Sequence, residues 1–476
     1  MSDKATEAVE ATPEEAVAYA VAALRAGKLA VAENVFAQVL AAFPDHPDAL
    51  HFSGLMRAQQ GKSDEAIALV RRSLDVAPHN PSAWNNLANL LVSANDFDRA
   101  RDAYLKCLDL APDFPDALAN VGLMLRELGD VDTAEALYRR ALDIRPDFAE
   151  ALNNLATILV ARGEAAAAVD LLKRAIELEP RFGDAYTNLG TAYRSLGARE
   201  AAAECGWKAL ALRHGDKVAR KFLIYALIET GERDKAIEVA RDWLALSPDD
   251  PDARHHHAAV TGENVPDRCA DAYVETVFDK FAASFDAALS HLGYRAPEFC
   301  ADALKARIGE PAGRLDILDA GCGTGLAAPF LKPFARHLAG IDLSRGMLAK
   351  AEARGLYDAL AKAEITAAML TSPKAYDVVL SADTLCYFGD LNAVMAAAAH
   401  ALRPGGVLVV SVEALDADDG RPFRLHEGSG RYAHTKAHVE AAATAAGLAD
   451  IGCVAVDLRM EGGRPVAGLV VTARID

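Results

Sequence analysis

The segment DILDAGCGTG, from Asp316 to Gly325, decides the fold of the last third of the chain. It begins as a short apolar strand and runs straight into a loop with three glycines, after which a helical pattern starts. Glycines let the backbone approach a ligand closely, and the N-terminus of a following helix favours a negatively charged group. The segment therefore predicts a ligand-binding turn at the end of the first strand of a sheet.

Short apolar stretches alternate with helical patterns after this turn, which predicts a parallel sheet covered on both faces. The tail has two strands joined by a turn at Glu461, Gly462 and Gly463, so the last hairpin is antiparallel. A dinucleotide-binding fold would not end in this way. The predicted strands lie at 316–320, 338–342, 363–369, 376–382, 406–412, 448–458 and 466–475.

Two carboxylates narrow the class of ligand. Asp342 ends the second predicted strand about 20 residues after the loop, where an acid can accept both hydroxyls of a ribose. Dinucleotides and other nucleoside cofactors share that requirement. The third glycine comes one residue earlier than in a dinucleotide loop, and Asp319 lies inside the end of the first strand. Both features favour a nucleoside cofactor that is not a dinucleotide.

These residues, with the strand 377–383 and the sequence Arg403–Gly406, resemble class I S-adenosylmethionine-dependent methyltransferases. The resemblance implies an active enzyme with a Rossmann-like α/β domain over residues 313–476. Its sheet would have seven strands, with the last hairpin antiparallel. The implied cofactor is S-adenosylmethionine (SAM).

The same resemblance gives roles to individual residues. Gly321 and Gly323 would admit the methionine part of SAM, with Asp319 near its amino group, while Asp342 would hold the ribose. Glu364 stands where many such enzymes place an aspartate that accepts from the adenine amino group. The expected cofactor-binding residues are Asp319, Gly321, Gly323, Gly325, Asp342, Leu343, Met347, Glu364 and Ser381.

Candidate catalytic residues follow the fourth predicted strand. Methyl transfer from a sulfonium mainly needs an aligned acceptor, so residues of several types can serve. Asp383 and Tyr387 should lie beside the glycine loop, where either could orient an acceptor. An alcohol or a protonated amine also needs a base, and His434, His426 or Tyr432 could be that base or be structural. No carboxylate or cysteine completes a ligand set near His434, so no metal site is predicted.

The first half of the chain repeats with a period of 34 residues, from 13 to 250. In each of the seven units a glycine or asparagine makes a tight turn between two helices, and in six units a proline closes the second helix. The pattern resembles the tetratricopeptide repeat (TPR) and predicts an all-α solenoid with a concave surface. The alanine that marks the phase recurs at Ala32, Ala66, Ala100, Ala134, Ala168, Ala202 and Ala236.

An asparagine recurs at one position on the first helix of four successive repeats. In TPR proteins this position faces the concave groove. Asparagine carries both a donor and an acceptor, so a row of these side chains could bind the backbone of a peptide or protein partner. The alternative is that each one only bonds the neighbouring helix. The four positions are Asn86, Asn120, Asn154 and Asn188.

Residues 251–312 form a predicted helical connector with a loop at 261–266. Apolar residues between Tyr273 and Leu292 recur at helical spacing, which indicates ordinary core or a lid that shields a site from water. His255, His256 and His257 cannot chelate one ion from consecutive helical positions, so a solvated end-cap helix is expected there.

The charge balance limits the partners. Fifty Lys and Arg against 68 Asp and Glu give a net charge of −18, which disfavours nucleic acid and anionic membranes. Seven scattered cysteines without a C-x-x-C pair fit a reducing compartment. The segment 1–12 is predicted to be flexible and without an export signal, and no apolar run suits a membrane span. A cytoplasmic protein is therefore expected.

As a whole, the chain resembles a bacterial family of methyltransferases fused to TPR arrays. The resemblance implies that the repeats recruit a protein or carrier-bound acceptor, or another protein partner. The alternative function is a scaffold whose methyltransferase-like domain only senses the cofactor or is inactive. The intact set from Asp319 to Asp342 argues against a loss of activity.

Overall fold

A computed structural model describes residues 11–282, 285–415, 420–461 and 464–476. The first ten residues of the predicted flexible segment, and Gly462 and Gly463 of the predicted turn, lie outside these ranges. The chain divides into two compact units. One extends to Ile158 and includes Lys173–Pro180, and the other comprises Leu159–Leu172 and Arg181–Asp476.

Fourteen helices between residues 13 and 246 confirm the predicted repeats. The turn residue inside each helix pair has a positive φ, from 59° at Asn95 to 90° at Gly129. All seven phase-marking alanines are fully buried, so each helix pair packs at short range on a side chain of one carbon. The helices α1 to α14 are Pro13–Arg25, Leu29–Ala42, Pro47–Gln59, Ser63–Val76, Pro81–Ser93, Phe97–Leu110, Pro115–Glu127, Val131–Ile144, Ala149–Ala161, Ala165–Leu178, Gly183–Ser195, Arg199–Leu212, Lys217–Glu229 and Arg233–Leu246.

Four helices follow the repeats: α15 (Pro251–Thr261), α16 (Asp271–Phe281), α17 (Phe285–His291) and α18 (Ala296–Ile308). The expectation of a solvated helix at the three histidines is wrong, because His255, His256 and His257 are all at least 92 % buried. The reason is that α15 packs on two sides. Ala253 and Val260 belong to the core of the last repeats, whereas Ala258 and Ala259 belong to a cluster with Tyr273 of α16 and Tyr432.

The last third of the chain forms one mixed sheet, in the order β3-β2-β1-β4-β5 with parallel neighbours. β9 then pairs antiparallel with β5, and β8 pairs antiparallel with β9, as predicted for the last hairpin. Two short strands that the sequence did not predict, β6 and β7, extend the edge beside Glu413 and Ala414. The strands β1 to β9 are Leu315–Ala320, Ala335–Asp342, Ala359–Lys362, Tyr376–Ser381, Leu402–Ala414, Phe423–Leu425, Tyr432–His434, Leu448–Glu461 and Arg464–Ile475.

The prediction of the third strand at 363–369 is wrong, because β3 lies earlier in the chain. It ends at Lys362, and the predicted strand 363–369 is largely the helix α21 (Ile365–Leu370). The carboxylate of Glu364 accepts from the backbone N–H groups of Thr366 and Ala367, at 3.0 and 2.9 Å, and so caps this helix. Apolar periodicity alone does not separate a short strand from a short helix.

Helices cover both faces of the sheet, because successive side chains of a strand point to opposite faces. Ile317 packs with α18 and with α19 (Ala328–Leu331), whereas Leu318 packs with α21, α22 (Asn392–Ala401) and α23 (Lys436–Ala445). The helix α20 (Arg345–Ala353) follows β2. Among the described residues, no helix has the length and apolar character needed to cross a membrane.

Candidate active site

The glycine loop lies where β1 ends and before α19. Gly321 has φ 80°, and a Cβ there would lie 2.3 Å from Oγ1 of Thr384, so only glycine lets the loop pack against the residues after β4. Gly323 has φ 54°, and a Cβ there would meet no atom within 4 Å. The loop is therefore tight at Gly321 and open at Gly323, where its backbone borders a cavity.

Asp342 ends β2 beside this loop. Its Oδ2 accepts from the N–H of Gly323 at 3.0 Å, and its Oδ1 accepts from the N–H of Ser344 at 2.8 Å. Burial raises the pKa of Asp342, while these backbone donors oppose the rise. The two bonds fix the carboxylate at the edge of the cavity, and each oxygen keeps a second lone pair for a ligand.

Asp319 is the most buried acid of the predicted cofactor set, with 1 % exposure. The hydroxyl of Tyr357 donates to its Oδ2 at 2.6 Å. Burial raises the pKa of Asp319 to about 7, against the lowering effect of Tyr357 and with a smaller contribution from Asp342. A buried carboxyl with so high a pKa is suited to a positively charged ligand group, which would stabilise its ionised form.

A cavity of about 390 Å³ lies above these residues, and helices α16 and α17 form its apolar wall. The predicted stripe supplies this wall: the ring of Phe278 meets Tyr387 edge to face at 5.4 Å, and Phe281 meets Phe285 in the same way at 5.4 Å. Asp286 holds the wall to the glycine loop, because it bonds the hydroxyl of Thr324 and forms an ion pair with Arg354. The size is typical of small-molecule sites.

Six of the nine expected cofactor residues line the cavity, and three do not. Gly325 packs against Tyr357, since a Cβ there would lie 2.9 Å from that ring. Met347 is buried in the first turn of α20, and the hydroxyl of Ser381 joins β4 to β1 by donating to the carbonyl of Ala320 at 2.7 Å. The residues at the cavity are Asp319, Gly321, Gly323, Asp342, Leu343 and Glu364.

Asp383 lines the same cavity from the end of β4. Its backbone has φ 56°, and its N–H donates to Oγ of Ser411 at 2.8 Å. Oδ2 accepts from Arg459 at 2.8 Å, whereas Oδ1 is buried and has no hydrogen-bond partner among the described residues. Burial raises the pKa of Asp383 to about 6, and Arg459 opposes the rise. Oδ1 is thus an acceptor without a donor.

Arg459 and Arg431 join three acids into one buried network that sequence reasoning missed. Arg459 is 3 % exposed and pairs with Asp383, Glu413 and Glu461. Arg431 reaches Glu413 and Glu461, each at 2.6 Å. The sequence nevertheless contains a sign of this network. Glu413 ends the apolar stretch VLVVSVEA, and a charge in a buried strand needs a partner, which Arg459 and Glu461 on one face of β8 could supply.

The three candidate bases His434, His426 and Tyr432 do not line the cavity, whereas Tyr387, expected to orient an acceptor, does. Tyr387 lines it, and burial raises the pKa of this phenol. His434 is fully buried on β7, where it stacks on His438 with 5.6 Å between ring centres, and burial lowers its pKa to about 4. The hydroxyl of Tyr432 donates to the carbonyl of Pro266 at 2.6 Å, and His426 is exposed. Of these four residues, only Tyr387 lines the cavity.

The row of asparagines is partly committed to contacts between repeats. Nδ2 of Asn86 donates to Nε2 of His51 at 2.9 Å, and Nδ2 of Asn120 donates to Oδ1 of Asn85 at 3.1 Å. Asn86, Asn120 and Asn154 also line a groove of about 370 Å³ in the first of the two compact units. Asn188 belongs to the second compact unit and is half-buried on α11.

The chain carries TPR repeats followed by a domain with the fold of a class I methyltransferase. Residues 318–410 match a family model described as "Methyltransferase domain". Models described as "Tetratricopeptide repeat" match residues 18–81, 85–149, 148–178, 183–214 and 217–260.

Among curated relatives, "Methyltransferase-like protein 27" of Homo sapiens is 35 % identical over 136 residues, which are 28 % of this chain and 55 % of that protein. "Malonyl-[acyl-carrier protein] O-methyltransferase" of Enterobacter lignolyticus is 36 % identical over 117 residues, 24 % of this chain and 45 % of that protein. The chain thus spans about half the length of these relatives. A solved structure of the APC/C hetero-tetramer Cut9-Hcn1 matches with TM-score 0.49 and 18 % identity, over 54 % of this chain and 50 % of that one.

Proposed function

We propose that this chain is a SAM-dependent methyltransferase of the cytoplasm. The observation that carries the proposal is that one cavity is lined both by the glycine loop with Asp342 and by Asp383. Asp342 lies on β2, on one side of β1, and Asp383 follows β4, on the other side. An acceptor bound at Asp383 would therefore share this cavity with a cofactor held at the glycine loop and Asp342.

The residues present fit SAM. The open face of Gly323 leaves room for a ligand beside the backbone, and the free lone pairs of Asp342 suit the two ribose hydroxyls. Asp319 suits the ammonium of the methionine part, Leu343 the face of the adenine and Glu364 its amino group. When bound there, SAM supplies a methyl group on a sulfonium, which needs an aligned nucleophile and little else.

Asp383 points to the chemistry of the acceptor. Because its Oδ1 is buried without a donor, we propose that it accepts a hydrogen bond, and then the proton, from a hydroxyl or an amine. A carboxylate acceptor would instead bring a second negative charge to this oxygen. Tyr387, with its raised pKa, stays neutral and shapes the wall beside Asp383.

We further propose that the repeats bind a protein partner or a carrier-bound acceptor. The groove lined by Asn86, Asn120 and Asn154 supports this role, because it combines amide groups with the rings of Phe114 and Phe148. An extended peptide presents backbone amides, which could pair with the asparagine amides, and apolar side chains, which could pack on the two rings. The rival proposal is a scaffold that binds SAM without transferring its methyl group.

The test is a calorimetric titration of the full chain with SAM, followed by incubation with labelled SAM and cell extract. Asp342→Ala should weaken SAM binding by about 1–3 kcal/mol, the range for hydrogen bonds to a charged group. Asp358→Ala is a matched control, because Asp358 lies beyond β2 and does not line the cavity. Binding without label transfer would favour the scaffold, and no binding would reject the proposal.

A further inference from the structure

The helix α15 joins the repeat array to the candidate active site. Ala253, on one side of α15, belongs to the core of the last repeats, whereas Ala258, on the other side, packs in a cluster with Tyr273 of α16. The last repeat also reaches the cavity itself, because Lys221 of α13 is among the residues that line it. The array therefore ends in the wall of the site.

One side chain of α15, His255, contacts two segments that line the cavity. Its ring stacks on Tyr273, with 4.2 Å between ring centres, and its Nδ1 lies 3.7 Å from Sγ of Cys269. Its Nε2 donates to the carbonyl of Gly430 at 2.9 Å, and the next residue, Arg431, lines the cavity. Burial lowers the pKa of His255 to about 4, so the ring is neutral, with one nitrogen that donates and one that accepts.

The loop between β6 and β7 is closed by its own backbone bonds. The N–H of His426 donates to the carbonyl of Arg431 at 2.8 Å, and the N–H of Gly430 donates to the carbonyl of His426 at 2.8 Å. The carbonyl of Gly430 accepts from His255. The helix α15 thus holds this loop at the residue that precedes Arg431.

Arg431 carries this contact to the acceptor end of the cavity, which is the part lined by Asp383, Arg431, Arg459 and Glu461. Its guanidinium bonds Glu413 and Glu461, each at 2.6 Å. Burial raises the pKa of Asp383, and the charges of Arg459 and Arg431 both lower it, against a raising effect of Glu413. A displaced Arg431 would therefore leave Asp383 protonated up to a higher pH.

The remaining titratable groups near Asp383 stay neutral while it titrates, because burial raises the pKa of each one. Near His255, burial also keeps His256 neutral, and the charge of Lys221 further disfavours a second proton on either ring. The neutral groups near Asp383 are Cys386, Cys300 of α18 and Tyr294.

We propose that His255 is a positioning residue through which the repeat array holds Arg431 at the acceptor end of the cavity. Resting on the proposed function, this role makes the repeats part of the transfer step as well as a partner-binding surface. The bond to Gly430 carries the effect, and the stack on Tyr273 orients the ring that makes the bond. Loss of the donor should therefore slow methyl transfer and leave cofactor binding intact, because Asp342 and the glycine loop belong to other elements.

The test compares variants of the full chain in the rate of label transfer from labelled SAM to cell extract, between pH 5.5 and 8.5. His255→Phe keeps a stacking ring but removes the donor. The rate at pH 7 should fall by about tenfold, the effect of losing one hydrogen bond, and the midpoint of the pH profile should move to higher pH. His255→Gln carries an amide N–H at the place of Nε2, so it should restore most of the rate and the wild-type midpoint.

His256→Phe is the matched control, since it is the same substitution one residue later. His256 is also buried and stacks on Trp243 of α14, and its Nε2 has no hydrogen-bond partner within the described ranges. It should keep the wild-type rate and midpoint. A wild-type rate and midpoint in His255→Phe would overturn the inference. Equal losses in His255→Phe and His256→Phe, or a slower His255→Phe with an unchanged midpoint, would overturn it too, because either result describes a general effect of packing.

Binding of S-adenosylhomocysteine, measured first by calorimetry in every variant, separates the two proposals. Equal affinity in all variants, with a slower and shifted His255→Phe, supports the positioning role. Absent binding in the wild-type chain rejects the proposed function itself. Hydrogen exchange measures the placement without activity: the backbone N–H groups of His426 and Gly430 should exchange faster in His255→Phe than in His256→Phe, and equal exchange would overturn the inference.

Discussion

The ring of His255 donates through Nε2 to the backbone oxygen of Gly430 over 2.9 Å, and its Nδ1 lies 3.7 Å from Sγ of Cys269. One side chain of α15 thus bonds the loop between β6 and β7 and the segment that enters α16. A Cβ on Gly430 would lie 2.9 Å from that same Nε2, so the loop can approach only as glycine. Arg431, the next residue, is placed at the cavity by this contact.

The first prediction concerns truncation. A fragment that begins at Pro251 would expose Ala253 and Val260, which belong to the core of the last repeats. A fragment that begins at Gly183 keeps that core. We expect the longer fragment to bind SAM and unfold cooperatively, and the shorter one to have a lower Tm by differential scanning calorimetry. Equal Tm values would show that α15 needs no repeat beneath it.

The second prediction is a pH dependence of SAM affinity through Asp319. Its raised pKa, about 7, means that the free protein holds a proton there at pH 6 and releases it above pH 7. The ammonium of SAM favours the ionised form, so affinity should rise with pH, by about tenfold per unit below the pKa. Tyr357→Phe removes a donor that lowers this pKa, and the midpoint should then move to higher pH. Asp319→Asn should give a flat profile, measured by calorimetry between pH 5.5 and 8.5.

The third prediction concerns Asp383 as the base. The acid must be ionised to accept a proton, so kcat should rise with pH through about 6, the pKa that burial gives it. Asp383→Asn keeps an oxygen for Arg459 but cannot take the proton, and kcat should fall by about 10²- to 10⁴-fold. The Kd for SAM should stay the same in this variant. A normal kcat in Asp383→Asn would remove the residue from the mechanism.

The fourth prediction tests the tight side of the glycine loop. Gly321→Ala places a Cβ against Thr384 and forces a side chain into a left-handed backbone, so it should weaken SAM binding and lower stability by about 1–3 kcal/mol. Gly405→Ala is the matched control, since its φ is 77° but no atom lies within 4 Å of its Cβ. It should cost about 1 kcal/mol and leave binding intact. Chemical denaturation and calorimetry measure the two effects.

The fifth prediction concerns the buried ion network. Arg459→Met leaves Asp383 without a cation and leaves Glu413 and Glu461 with Arg431 alone, and the loss of one partner of a buried pair typically destabilises a protein by about 3–5 kcal/mol. Arg295→Met is the control, because Arg295 pairs with Glu298 at the surface, where solvent screening leaves an ion pair with little effect on stability. Urea unfolding of both variants gives the comparison. Equal losses would mean that the network adds no stability beyond a surface pair.

The sequence predicted the features that depend on local chemistry. The repeats follow from a small residue that must be buried, such as Ala134, and a turn that must be left-handed, such as Gly129. The glycine loop and Asp342 follow from backbone space and strand ends. Both kinds of signal recur at fixed spacing, so they can be read before any tertiary contact is known.

Features that depend on distant partners escaped prediction. His255 is polar and follows the last repeat, so local chemistry favoured solvent, yet its partners are 14 and 175 residues away. Arg459 meets Asp383 across 76 residues. The prediction of the third strand failed for a different reason, because Glu364 caps a helix where the spacing of apolar residues also suited a strand. Propensity predicts poorly where a single N-cap residue determines that a segment is helical.

Helix α15 has one side in the core of the last repeats and the other against the catalytic domain. This arrangement limits which repeats can be gained or lost in evolution. Repeats at the amino-terminal end can be gained or lost, since each one contacts only its neighbours. The unit carrying Lys221 cannot be exchanged in this way without altering the cavity wall. The number of repeats is therefore expected to vary at the amino-terminal end of the array, and the last repeat should be inherited together with the catalytic domain.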